Sequence, residues 1–142
     1  MWSVVFRLIG LWLGDHAPGW PDVTNYIDPD RSGSQREEIA GRLDGGERTD
    51  RAYMGYSRCR ICGCQNGSGE LTNGDYIWPE GLAHYVRNHA VRLPAVIESE
   101  LLLRAHPDPG LVAQAVRASN DERDVTWWKA VTGVGAPANP RP

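Results

Sequence analysis

Nothing in the 142-residue chain is long and apolar enough to cross a bilayer. The most apolar stretch, residues 1–13, is broken by Ser3, Arg7 and Gly10. It falls short of the ~20 residues that a spanning helix needs. It also lacks the basic start of a secretory leader, and Arg7 interrupts any apolar run. Val4, Val5 and Phe6 are good strand formers, so a buried strand is the reading there. Positive charge is not in excess: 15 Lys and Arg stand against 18 Asp and Glu, a net charge of −3. That balance argues against bulk attachment to nucleic acid or anionic lipid, both of which reward a basic surface. Cysteine is scarce and odd in number, three in all, between positions 59 and 64. Thiols this close would close only tiny loops, which excludes a disulfide framework. The pattern reads as metal binding in a reducing compartment, and the expected location is cytoplasmic.

Catalytic signatures are missing as well. There is no Gly-Lys-Ser/Thr phosphate loop and no dinucleotide fingerprint. His-Glu-x-x-His and Gly-x-Ser-x-Gly do not occur. The Pro-Cys-x-x-Cys and His-x-Glu elements of zinc deaminases are absent too. No internal repeat is visible.

What is present is the composition of a folded domain, 41% hydrophobic and 23% charged, with turns signalled by 16 glycines and 10 prolines. Residues 23–27 read as a short extended piece ended by Asp28-Pro29. Residues 34–43 read as a helix with a Ser34/Glu37 capping box, Ile39, Ala40 and Leu43 on its core face, and a left-handed stop at Gly45-Gly46. Residues 49–57 are a loop or short strand. Residues 70–78 read as a β-hairpin turning at Asn73-Gly74. Residues 80–89 follow as a helix with Pro79 near its first turn. A further helix, 95–105, would bury Val96, Ile97, Leu101 and Leu102, and another is expected over 111–118. Asp124 would cap a last helix containing Trp127 and Trp128, which cannot both face one core fully. One domain is expected over 1–132, with a Gly/Pro/Ala-rich tail over 133–142.

The strongest local signal is Cys59-Arg60-Ile61-Cys62-Gly63. Two cysteines two residues apart can turn both thiolates onto one ion, and the glycine permits the backbone such a turn needs. Twenty-two residues after Cys62 comes His84, and His89 follows it. Their spacing lies within the His-x3–5-His range of zinc sites, and zinc accepts mixed sulfur and nitrogen donors in a tetrahedron. The expected metal ligands are therefore Cys59, Cys62, His84 and His89, with zinc as cofactor. Residues five apart on a regular helix point about 140° away from one another. Either the helix tightens or ends near Asn88, or one histidine drops out and Cys64 or a water takes the fourth position. Cys64 otherwise reads as a small packed or semi-exposed thiol. His16 and His106 sit beside loop prolines or turns and read as surface residues.

The order of knuckle, hairpin and helix resembles the treble-clef class of zinc folds, in which a Cys-x2-Cys-Gly turn gives two ligands and the start of a helix gives two more. Cys59, Cys62 and Gly63 match the knuckle, and His84 the early helix. The stretch 55–94, with CRICG, NGSGELTNGDY, WPEGLAHYVRNH and VRLP, also resembles an uncharacterised bacterial family of small proteins. That resemblance implies a zinc-binding fold and no particular activity. The fold class expected is α+β: a small treble-clef-like zinc core with an added N-terminal strand and C-terminal helices.

With four protein ligands and no convincing acid or base, the leading expectation is a zinc-binding interaction module contacting another protein, and not an enzyme. Two alternatives stand beside it. One is a zinc-dependent hydrolase or nuclease using Glu80, four residues before His84, as base. The other is a nucleic-acid-binding zinc domain, for which Arg58, Arg60, Tyr85 and Arg87, joined by Arg51, Arg92, Tyr53 and Tyr56, would form a basic and aromatic patch. No membrane role is expected.

Overall fold

The computed structural model describes residues 4–15, 17–52, 57–104 and 106–134. The chain is α+β, built on a mixed five-stranded sheet of order β2-β3-β4-β1-β5. The central hairpin is β3 (Gly69–Thr72) and β4 (Tyr76–Pro79), paired antiparallel. Its turn is written locally. The Asn73 side-chain oxygen accepts from the amides of Asp75 (3.0 Å) and Tyr76 (2.9 Å). Gly74 has φ +89°, and a Cβ there would press on helix backbone at Val112, so only glycine fits. β2 (Glu47–Ala52) adds antiparallel to β3. β1 (Phe6–Leu8) adds parallel to β4, and β5 (Arg123–Asp124) parallel to β1. The N-terminal strand expected from residues 4–6 thus begins at Phe6, and Val4 and Val5 precede it, exposed.

Along β4 the side chains alternate between two cores, as the pleat requires. Tyr76 and Trp78 join the larger one with Ile9, Ile39, Leu43, Val86, Ile97 and Trp128, while Ile77 joins Phe6, Leu8, Ala115 and Ala118. Helices α1 (Gly33–Asp44), α2 (Leu82–His89), α3 (Ala95–Leu103) and α5 (Thr126–Val131) supply the first, and α4 (Pro109–Val116) the second. A strand with both faces covered must read as an apolar run, which Tyr-Ile-Trp does.

Several boundaries differ from the sequence reading. Residues 23–26 form a 3-10 turn, not an extended piece, because the Asp22 carboxylate accepts from both the amide and the hydroxyl of Thr24. The cap of α1 is Ser32, which accepts from the Gln35 amide at 3.2 Å. Glu37, assigned to a capping box with Ser34, instead reaches Arg87 on α2. Gly45 ends α1 at φ −79°, without a left-handed turn. Pro79 closes β4 instead of opening a helix. On α3 the buried residues are Ile97, Glu98 and Leu101, while Val96 and Leu102 are exposed. The face is rotated because Glu98 turns inward to hold Arg31 and the Leu93 amide. Trp128 is fully buried and donates to the Leu11 carbonyl. Trp127 lies half-buried over Tyr76, with the Arg7 guanidinium 4.2 Å from its ring. Asp124 caps α5 as expected. His16, Tyr53, Tyr56 and residues 135–142 lie outside the described residues.

Candidate metal centre

Residues 57–67 fold into a loop closed by backbone bonds between Ser57 and both Asn66 and Gly67. Inside it the Cys59 amide donates to the Cys64 carbonyl (2.9 Å), and the Gly63 amide donates back to the Cys59 carbonyl (2.9 Å). Gly63 takes φ +75°, so the chain reverses at once after Cys62. The reversal sets Cys64 opposite Cys59. The Ile61 amide points at the Cys59 sulfur, 3.5 Å away, as a donor to a thiolate would.

The loop is fastened to the start of α2 by side chains. The Arg60 amide donates to the Tyr85 hydroxyl (2.8 Å), and the Asn66 amide group donates to the Gly81 carbonyl (3.1 Å). Glu80 accepts from the amides of Ser68 (2.6 Å) and Gly69 (2.9 Å) and pairs with Arg48 (2.8 Å). These ties present His84, in the first turn of α2, to the loop. Its Nε2 lies 3.5 Å from Sγ of Cys62 and 3.5 Å from Sγ of Cys64. The ligand atoms of Cys59, Cys62, Cys64 and His84 all fall within 4.8 Å of one another, close enough to bind one metal ion. A tetrahedral ion with bonds of about 2.3 Å to sulfur and about 2.05 Å to nitrogen would set sulfur and nitrogen about 3.6 Å apart. The two sulfur–nitrogen separations to His84, both 3.5 Å, need almost no adjustment. All three cysteines are free thiols.

Electrostatics match this geometry. The Cys62 thiol is held down to about 5, first by the Cys64 backbone, then by the Cys64 thiol and the rings of His84 and His89, all of which favour its thiolate. The neighbouring Cys62 in turn pushes the Cys64 thiol upward. Burial pushes the Tyr85 hydroxyl up to about 12, so it stays protonated while accepting from the loop.

The expected set and the observed group differ in one member. Cys59, Cys62 and His84 converge as expected, and Cys64 completes the group in place of His89. Cys64, the alternative fourth ligand should one histidine drop out, is brought in by the reversal at Gly63. The spacing Cys-x2-Cys-Gly-Cys carries that signal, since a left-handed glycine between two cysteines brings the second back. His89 remains adjacent, its ring centroid 4.9 Å from that of His84. Helix α2 ends there, at a left-handed Ala90 (φ 56°), close to where the spacing required.

Among the described residues, two members of the expected basic and aromatic patch, Tyr85 and Arg87, are engaged elsewhere. Tyr85 is a core residue, 6% exposed, and offers no stacking face. Arg87 is engaged by Glu37 and Asp44 of α1. Arg58 and Arg60 are exposed at the loop. With Asp15 and Asp22 they line an open cleft of about 970 Å³ beside Cys59. His106 is exposed, as expected.

Glu80 is set for anchoring. Its depressed carboxyl, held down first by the Gly69 amide, contributes stability that is complete above the ordinary value near 4.5 and is lost as pH falls through the lower, folded value. Glu80→Gln keeps the one oxygen that both amides share but loses the charge and the oxygen paired with Arg48. It should cost about 1–2 kcal/mol at neutral pH, and its urea midpoint should fall less than that of the wild type between about pH 5 and 3.

Among the described residues no helix is long and apolar enough to cross a membrane. Compared with family models, with curated proteins and with solved structures, the chain finds no significant match in any of the three.

Proposed function

We propose that the chain is a zinc-stabilised interaction module whose knuckle face meets another protein in a reducing, cytoplasmic setting. Cys59, Cys62, Cys64 and His84 are the ligands in this reading. The observation that carries it is the convergence of three thiols and one imidazole from two segments held together by other bonds. Sulfur and imidazole donors in a tetrahedral arrangement favour zinc over the harder cations. Four protein donors make a closed, structural site with no coordination position for a substrate.

The sequence of knuckle, hairpin β3–β4 and α2 supports a treble-clef-like arrangement, with the variation that the knuckle gives three ligands and the helix one. The hydrolase reading draws no support from Glu80, whose oxygens are spent on Ser68, Gly69 and Arg48. The cleft beside the knuckle carries both signs of charge, Asp15 and Asp22 facing Arg58 and Arg60. Such a surface complements a polar protein rim better than a uniform phosphate backbone.

Metal analysis tests the centre. The purified chain should carry one equivalent of zinc, with Cys59 and Cys62 shielded from a thiol reagent until a chelator is added. A metal-free chain with an unchanged melting curve would remove the basis for the module. Arg58→Glu with Arg60→Glu should leave zinc content and melting unchanged while turning the mixed rim of the cleft acidic throughout.

A further inference from the structure

Four donors make up the ion site, and the ring of His89 stands beside them without belonging to the group. That ring packs edge-on against His84, 4.9 Å between centroids. Its Nε2 is buried and has no hydrogen-bond partner. A buried imidazole nitrogen is ordinarily satisfied by protein or water, and one left unpaired beside a cluster of metal donors asks for an occupant. The left-handed turn at Ala90 holds α2 to an end at His89, with the Ala90 and Val91 amides both closing on the Tyr85 carbonyl. The ring is thereby kept at the site. Cys64 is the contrasting member: it sits on the return limb of the loop, exposed, while Cys59 is buried at 2% exposure.

We propose that His89 is a reserve ligand that exchanges with Cys64, so that the centre can pass from three thiolates and one imidazole to two of each without losing its ion. The proposal rests on the zinc-centre reading above and deepens it by giving the site a modifiable thiol. Cys64 is then a site for soft electrophiles. With an alkyl halide the Cys64 sulfur supplies the electron pair, the S–C bond forms, the carbon–halogen bond breaks and the halide leaves with its electrons. His89 fills the vacated position.

Cobalt substitution reads the donor set, because sulfur-to-cobalt charge-transfer absorbance grows with the number of thiolates. Wild type and His89→Ala should each take one cobalt with a three-thiolate spectrum. Cys64→Ser should also keep one equivalent, with a two-thiolate spectrum. The double variant should bind at least roughly tenfold more weakly than Cys64→Ser. In the zinc form, iodoacetamide should add one group at Cys64 with the ion retained in wild type and released in His89→Ala.

A Cys64→Ser chain that loses metal as fully as Cys59→Ser would overturn the reserve role while leaving the zinc centre standing. A two-thiolate spectrum in wild type, or metal loss in His89→Ala alone, would make His89 a primary ligand and overturn it as well. Wild type that takes no metal would remove the centre and the proposal together.

Discussion

Cys59→Ser is expected to strip the chain of zinc and lower its melting temperature by about 10–15 °C. The size follows from mass action. An ion present at a thousand times its dissociation constant contributes about 4 kcal/mol to the folded state, and in a chain of this length each kcal/mol moves the midpoint by about 3–4 °C. Cys59 is the ligand to remove because it is the buried one, 2% exposed, and neither a water nor a neighbouring donor can replace it easily. A serine hydroxyl remains protonated at neutral pH and is a poor ligand for zinc, so the substitution deletes the donor while keeping the shape.

The loss should be local. The larger core takes only Cys59 and the partly buried Ile61 from the loop, while Ile39, Leu43, Trp78, Val86 and Trp128 come from elsewhere in the chain. The Arg60–Tyr85 and Asn66–Gly81 bonds hold residues 57–67 only at their margins. Amide exchange should therefore quicken at Cys59, Gly63 and Cys64 while Ile77 and Trp78 stay protected. Metal content and melting indistinguishable from wild type would mean that the four donors meet without an ion to serve.

What the sequence made legible, and what it hid, follows from the range of the forces involved. The hairpin was legible because Asn73 and Gly74 build its turn from their own side chain and backbone freedom. The core face of α1 was legible from the spacing of Ile39, Ala40 and Leu43, all of which are buried. The pair Cys59 and Cys62 was legible from local spacing too. Cys64 and His89 were harder, since their placement depends on two left-handed residues, Gly63 and Ala90. A glycine suggests such a turn, whereas an alanine held at φ 56° gives no warning. Tyr85 was misjudged because burial is a tertiary fact: its ring packs beside Trp12 and its hydroxyl holds the loop. β5 had no local signal at all. Two residues, Arg123 and Asp124, make a strand only because β1 is there to pair with them.

The second large effect is expected at that same short strand. Arg123 and Glu70 form an ion pair with 5% and 3% of their side chains exposed, Nη1 lying 2.8 Å and 3.0 Å from the two carboxylate oxygens. The Thr49 hydroxyl donates to the same carboxylate at 3.0 Å, while Nη2 of Arg123 is buried without a partner. Glu70→Gln should therefore cost about 3–5 kcal/mol, because it leaves a guanidinium out of water with no opposing charge. Glu70→Met combined with Arg123→Leu should recover most of that loss, since removing both charges also removes the cost of desolvating them. Urea denaturation of Glu70→Met, Arg123→Leu and their combination gives the coupling directly. If Glu70→Gln stayed within about 1 kcal/mol of wild type, the pair would be better solvated than its burial implies. The double variant carries the more telling measurement. β3 and β5 are not neighbours in the sheet, and a two-residue strand has too few ladder bonds to fix its own register. A pair that costs stability yet reaches from β5 to β3 is best explained as what fixes β5 against β1. In the double variant the amides near Phe6 and Arg123 should then exchange faster than in wild type, even where the chain as a whole unfolds at the same urea concentration.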